Sequence, residues 1–151
     1  MKVRSAKISD AKAICSLINY YAEHDKMLFR SLAEIYENLQ TFSVAEDKGV
    51  VIGCCALEVI WSDLAEIKSL AIAPEHRNRG VGTRLVTTIL SQARQLGVPQ
   101  VFALTLEPGF FQKLGFTVVA KEALPMKVWS DCARCPKQQE CDEVAVVKSL
   151  E

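Results

Sequence analysis

Leu70-Ala-Ile-Ala-Pro-Glu-His-Arg-Asn-Arg-Gly-Val-Gly-Thr83 joins an apolar strand to a helix through a turn rich in glycine and arginine. The first backbone N–H groups of such a helix have no intrahelical acceptor, and the helix dipole adds positive potential where they converge. Gly80 and Gly82 carry no Cβ, which lets a phosphate approach the backbone. Arg77 and Arg79, on either side of Asn78, add charge at the rim. Val81 and Thr83 fall in the first turn of the helix. A phosphorylated ligand is the expected guest; the alternative is a glycine-rich turn with solvated arginines. A nucleotide P-loop needs Gly-Lys-Ser/Thr, which is missing, and a dinucleotide fingerprint needs a third glycine where Leu85 stands.

Outward from this turn the chain alternates between strand and helix patterns. Upstream, residues 63–73 read as a strand ended by Pro74. Residues 41–46 and 50–60 form a hairpin around Asp47-Lys48-Gly49. Ser31-Leu-Ala-Glu34 is a capping box that opens a helix with Leu32, Ile35, Tyr36 and Leu39 on one face. Ser9 and Asp10 start an earlier helix carrying Ile14, Leu17, Ile18 and Tyr21. Residues 2–7 make a first strand. Downstream, a helix from about Val81 to Leu96 buries Leu85, Val86, Ile89, Leu90 and Ala93, and Gly97 ends it. Val101–Leu106 is a strand, Pro108–Leu114 a short helix, and Phe116–Val119 and Val144–Val147 the last strands. The order β-α-α-β-β-β-α-β-α-β-β contains three consecutive strands, which pure βαβ winding cannot produce. An α+β fold is expected, with a mixed sheet between two helical layers.

The 151 residues fit one domain, residues 1–151, with a cysteine-containing extension from about 121 to 151 packed on it. Half of the residues are apolar, and 18 basic side chains balance 18 acidic ones. That balance argues against a general nucleic-acid binder. No apolar run reaches the ~18 residues of a membrane span, and the first ten residues lack a signal-peptide core. A cytoplasmic location is the default expectation. Cys15, Cys54 and Cys55 lie in apolar stretches and read as core residues. His24 and His76 read as surface residues.

The spacing Arg77-x-x-Gly80-x-Gly82 resembles the coenzyme A pyrophosphate signature of the GNAT superfamily of N-acetyltransferases. Glu66-Ile-Lys-Ser-Leu-Ala-Ile-Ala-Pro74 looks like that family's central strand, and Phe110-Phe-Gln-Lys-Leu-Gly-Phe116 like its later helix-to-strand motif. The likeness covers about residues 2–120. It implies a three-layer α/β/α fold with a mixed, mostly antiparallel sheet, and acetyl-CoA as acetyl donor. It also implies direct attack on the thioester, and often a homodimer joined through sheet edges. Leu70, Ala71 and Ile72 would pair with the pantetheine arm, and residues Arg77 to Thr83 would hold the pyrophosphate. Glu66 is the candidate general base, working through a water, or else an ordinary strand glutamate. The N–H near Leu70 would stabilise the oxyanion. Many relatives carry a tyrosine acid at the second position of the Phe-Phe pair; here it is Phe111, and the acid role stays unassigned.

Glu66-Ile-Lys-Ser-Leu-Ala also resembles the strand of N-acetylglutamate synthases. Leu124-Pro-Met-Lys-Val-Trp129 and Asp131-Cys-Ala-Arg-Cys-Pro136 look like the ending of short bacterial members of that group. The implied acceptor is L-glutamate, at the first step of arginine synthesis. A dicarboxylate requires cations, and Arg30 is well shaped for a bidentate contact. Lys68, two residues from Glu66 on one strand face, is a second candidate; Ser69 beside it and Lys127 complete the set. No metal is expected. Cys132, Cys135 and Cys141 could hold zinc if Asp131, Asp142 or His24 joined them, could form a redox pair at Cys132 and Cys135, or could be plain reduced thiols. Rival readings are acetyl transfer to another small amine, a non-catalytic CoA sensor, and a thiol or zinc interaction module.

Overall fold

The computed structural model describes residues 1–24, 26–27, 29–124 and 143–151. Its elements follow the expected order: β1 (Lys2–Ser5), α1 (Ala11–Glu23), α2 (Leu32–Glu37), β2 (Phe42–Asp47), β3 (Val50–Trp61), β4 (Leu64–Ile72), α3 (Val81–Leu96), β5 (Gln100–Thr105), α4 (Pro108–Gln112), β6 (Thr117–Val119) and β7 (Val144–Ser149). They build one seven-stranded sheet in the order β1-β2-β3-β4-β5-β7-β6. The β4–β5 pair is parallel, and the other pairings among the described residues are antiparallel. The strand β7 therefore lies inside the sheet, between β5 and β6, although its residues fall in the stretch expected to pack as an extension.

The apolar spacing decides which helix covers which face. On one side α3 turns Leu85, Val86, Ile89, Leu90 and Ala93 onto Ile52, Cys55, Leu57, Ala65, Ile67, Val101 and Ala103, with Phe111 of α4 in the same cluster. On the other, Ile14, Ile18 and Tyr21 of α1 and Ile35 of α2 pack on Val44, Cys54, Ala56 and Ala71. Ile14, Ile18 and Ile35 are fully buried, and each such side chain contributes about 1.5–3 kcal/mol of transfer free energy. A smaller cluster of Leu64, Phe102, Leu124 and Ala145 sits farther along the sheet.

Local chemistry matches the sequence reading at α2. The Ser31 side chain accepts from Glu34 N, and the Glu34 side chain reaches back to the Ser31 N–H. At α1 it differs. Ser9, expected as the cap, lies inside a 3-10 turn (Ile8–Asp10); the N-cap is Asp10, the expected first-turn acid, and it makes no side-chain cap bond to the helix. The buried Asp10 carboxylate instead accepts Lys7 N at 2.7 Å and both Arg4 Nη1 and Nη2, at 2.7 and 3.1 Å. This turns the chain after Ser5, so β1 is shorter than expected.

Candidate active site

A β-bulge at the end of β4 opens the sheet. Cys54 and Ala56 of β3 face Ala71 and Lys68 of β4, so β4 carries one extra residue there. Ser69, within that bulge, has φ 56°. The parallel ladder to β5 is confined to Ala65↔Val101 and Glu66↔Phe102, although β4 continues to Ile72 and β5 to Thr105. Residues 67–72, at about 3.3 Å each, thus present roughly 20 Å of strand edge that β5 does not pair. Ala73 N donates to Ile52 O at 2.8 Å, toward β3. Strand alternation then directs the N–H and C=O of Ile72 and Leu70 the other way, into the cleft between β4 and β5. The Ile72 carbonyl accepts the Tyr21 hydroxyl, which reaches it from α1. Burial raises the Tyr21 pKa above its ordinary value.

The glycine-rich turn closes one end of this cleft. Asn78 and Gly80 both take positive φ, 63° and 80°. Gly80 is the N-cap of α3 and supplies no side-chain cap, so the first turn of α3 keeps its donors for another acceptor. The two glycines serve different ends. A Cβ on Gly80 would meet nothing within 4 Å, and its requirement is conformational. A Cβ on Gly82 would lie 3.3 Å from the Phe110 ring, so Gly82 is needed for packing against α4. Val81 is buried and Thr83 exposed. Arg77 Nη2 lies 3.1 Å from Glu107 Oε1, joining the loop after β4 to the N-cap of α4 beyond β5. Both partners are exposed, and such a pair contributes only about 0–1 kcal/mol. Parting Arg77 from Glu107 therefore costs little. Arg79 is exposed on the same turn.

On the face of the sheet covered by α1 and α2, Glu66 is buried, at 8% exposure, and pairs in register with Glu58. Lys68 shares that face, with Nζ 2.9 Å from Glu58 Oε2. Arg30 arrives from the α1–α2 connection. Its Nη1 donates to Ser69 Oγ at 3.1 Å, and its guanidinium carbon lies 5.4 Å from the centre of the Phe42 ring. The backbone of Arg30 is held from both sides by Asn19: Arg30 N donates to Oδ1 at 3.2 Å, and Nδ2 donates to Arg30 O at 3.1 Å. The structure thus gathers Glu66, Lys68, Ser69, Leu70 and Arg30 around the bulge, and Ala71, Ile72 and residues 77–83 toward the glycine turn. Lys127 and Cys132, Cys135 and Cys141 lie outside the described residues.

Burial pushes the thiol of Cys54 up to about 12, and that of Cys55 upward for the same reason. Neither is a thiolate at neutral pH, so neither is an acyl-accepting nucleophile. Cys15 is only half-buried, with Sγ 3.7 Å from Arg30 O. Phe111 is buried and stacks edge-on with Phe110 and Phe116, so this position serves packing. Among the described residues no cluster of three His, Cys, Asp or Glu could hold a metal, and no helix is long and apolar enough to cross a membrane. Asn19, Tyr21, Phe42 and Glu58 border the site and were not singled out from sequence as site residues. Of these only Asn19 has a local signal, its i, i+4 spacing from Cys15, which sets a polar residue on a half-buried face.

Residues 10–116 match the acetyltransferase (GNAT) family. The chain is 46% identical over 148 residues to an uncharacterized N-acetyltransferase of Chlorobaculum tepidum, covering 98% of this chain and 96% of that one. It is 39% identical over 135 residues to an amino-acid acetyltransferase of Mycobacterium tuberculosis, covering 87% and 77%. Its fold superimposes with a TM-score of 0.90, at 28% identity, on the N-acetylglutamate synthase of Neisseria gonorrhoeae, a structure holding coenzyme A and N-acetyl-glutamate. That match covers 99% of this chain and 35% of the longer protein.

Proposed function

The chain belongs to the acetyltransferase (GNAT) family, and on that footing we propose that it moves the acetyl group of acetyl-CoA to the α-amino group of L-glutamate. Use of acetyl-CoA by an amino-acid N-acetyltransferase is common ground with its relatives; the identity of the acceptor is the proposal. The observation that carries it is the Arg30 guanidinium docked on Ser69, at the bulge that opens the cleft beside Glu66. A fixed cation there suits an amino acid that brings carboxylates. The product would enter arginine synthesis, in the cytoplasm.

Every step but protonation of the departing sulfur has a residue to serve it. Acetyl-CoA supplies the thioester, and residues Arg77 to Thr83 fit its pyrophosphate, since α3 opens on a glycine without a capping side chain. The freed edge of β4, Leu70 to Ile72, offers alternate N–H and C=O groups to an extended amide chain. Glu66 takes the proton of the attacking amine, directly or through a water. The Leu70 N–H, turned into the cleft, faces charge developing on the thioester oxygen. Arg30 and Ser69 hold acceptor carboxylate. Lys68 adds charge already balanced by Glu58, and Lys127 is the third cation of this reading. Phe111 cannot protonate the departing sulfur, so coenzyme A leaves as the thiolate and takes its proton from solvent, while the Tyr21 hydroxyl stays on the Ile72 carbonyl.

Thiol release measured against L-glutamate, L-glutamine, L-aspartate and spermidine tests the reading. The highest kcat/KM is expected for L-glutamate. A preference for the polyamine would overturn it, and thiol release with none of them would favour a CoA-binding sensor.

A further inference from the structure

Arg30 lies in the connection between two helices, where a backbone is ordinarily mobile. Here one side chain grips both of its main-chain polar groups. Asn19 accepts from Arg30 N at 3.2 Å and donates to Arg30 O at 3.1 Å, the two-point contact that a neighbouring strand would make. Cys15, one helical turn earlier on α1, adds its Sγ at 3.7 Å from the same carbonyl, and Asn19 Nδ2 also lies 3.2 Å from that sulfur. The next residue, Ser31, is held by the capping box of α2. Beyond the backbone, the guanidinium rests over Phe42 and donates one bond to Ser69. A guanidinium has five N–H donors in a rigid fork, so its aim follows from where its backbone is held.

We infer that Asn19 is the positioning residue that fixes Arg30 for the acceptor carboxylate, and so sets the enzyme's demand for an acidic acceptor. The inference rests on the proposed role of Arg30. Asn19 is on α1 and acts through its two bonds to the Arg30 backbone. The Asn19 amide is half-buried and bonded through both its oxygen and its nitrogen. Its loss frees the connection to move while the cofactor side, built on β4 and α3, keeps its shape.

A double-mutant cycle separates this role from a structural one. Asn19→Ala is expected to raise the KM for L-glutamate roughly 10-fold, the equivalent of one or two lost hydrogen bonds, with kcat and the KM for acetyl-CoA little changed. In an Arg30→Ala background, Asn19→Ala is expected to add nothing. Additive effects of the two substitutions, or equal losses in both Michaelis constants, would overturn the role of Asn19 while leaving Arg30 in place. An Arg30→Ala variant with an unaltered glutamate KM would remove Arg30 from the acceptor site, and the role of Asn19 with it.

Discussion

Glu66 is the residue proposed to take the proton of the amine, and its surroundings are unusual for a strand carboxylate. It is buried between two apolar clusters on one face of the sheet, opposite Glu58 and two residues from Lys68. Glu66→Gln keeps the shape of the side chain, replaces one acceptor oxygen by an NH2 donor and removes its basicity. Turnover is expected to fall by about 100-fold or more, with acetyl-CoA binding unchanged. Steady-state kinetics with both substrates checks this, and full activity would strike Glu66 from the mechanism. Glu66, Lys68 and Arg30 were candidates from sequence through their place in strand and loop, and the structure brings them to one bulge. Asn19 and Glu58 were not, because their significance lies in partners 11 residues away at Arg30 and across a strand pair at Glu66.

At the scale of elements, two glycines two residues apart do different work. Gly80 allows the left-handed N-cap of α3; an alanine there is expected to cost about 1–2 kcal/mol in local strain. Gly82 lets α3 lie against Phe110 of α4, since a Cβ would stand 3.3 Å from its ring. Gly82→Val is expected to push α4 from the helix tip and raise the acetyl-CoA KM more than 10-fold, while the glutamate KM changes less. Gly109→Ala, where a Cβ would meet nothing within 4 Å, is the matched control and is expected to bind acetyl-CoA normally. Titration of coenzyme A by calorimetry decides it; retained affinity in Gly82→Val would count against the phosphate-site reading. The helix, its start and its end were all readable from periodicity and glycine placement. The contact with α4 was not, because no local signal records which ring a missing Cβ would strike.

For the molecule as a whole, the Arg4–Asp10–Glu46 network ties β1, the approach to α1 and β2 together at one edge of the sheet. Arg4 holds the Asp10 carboxyl below its ordinary range, and the Lys7 N–H assists. A depressed folded pKa means that the contribution is fully present above the unfolded value, about 3.9, and is lost as pH falls through the lower folded value. Asp10→Asn is therefore expected to lower the Tm most at neutral pH, by the equivalent of about 1.5–3 kcal/mol for charged hydrogen bonds in a part-buried pair. The gap to the parent should narrow below about pH 4. Thermal melts from pH 3 to 8 test this, and a gap independent of pH would show that the carboxylate charge contributes nothing. The sequence alone determined the order of elements, the helix faces and the glycine turn, since each follows from interactions between residues a few positions apart. Only the tertiary structure decided where β4 parts from β5, that β7 inserts beside β5, and that Asn19 grips Arg30. Those are contacts between distant segments, set by the bulge at Ser69 and the packing of α1, and no periodicity encodes them.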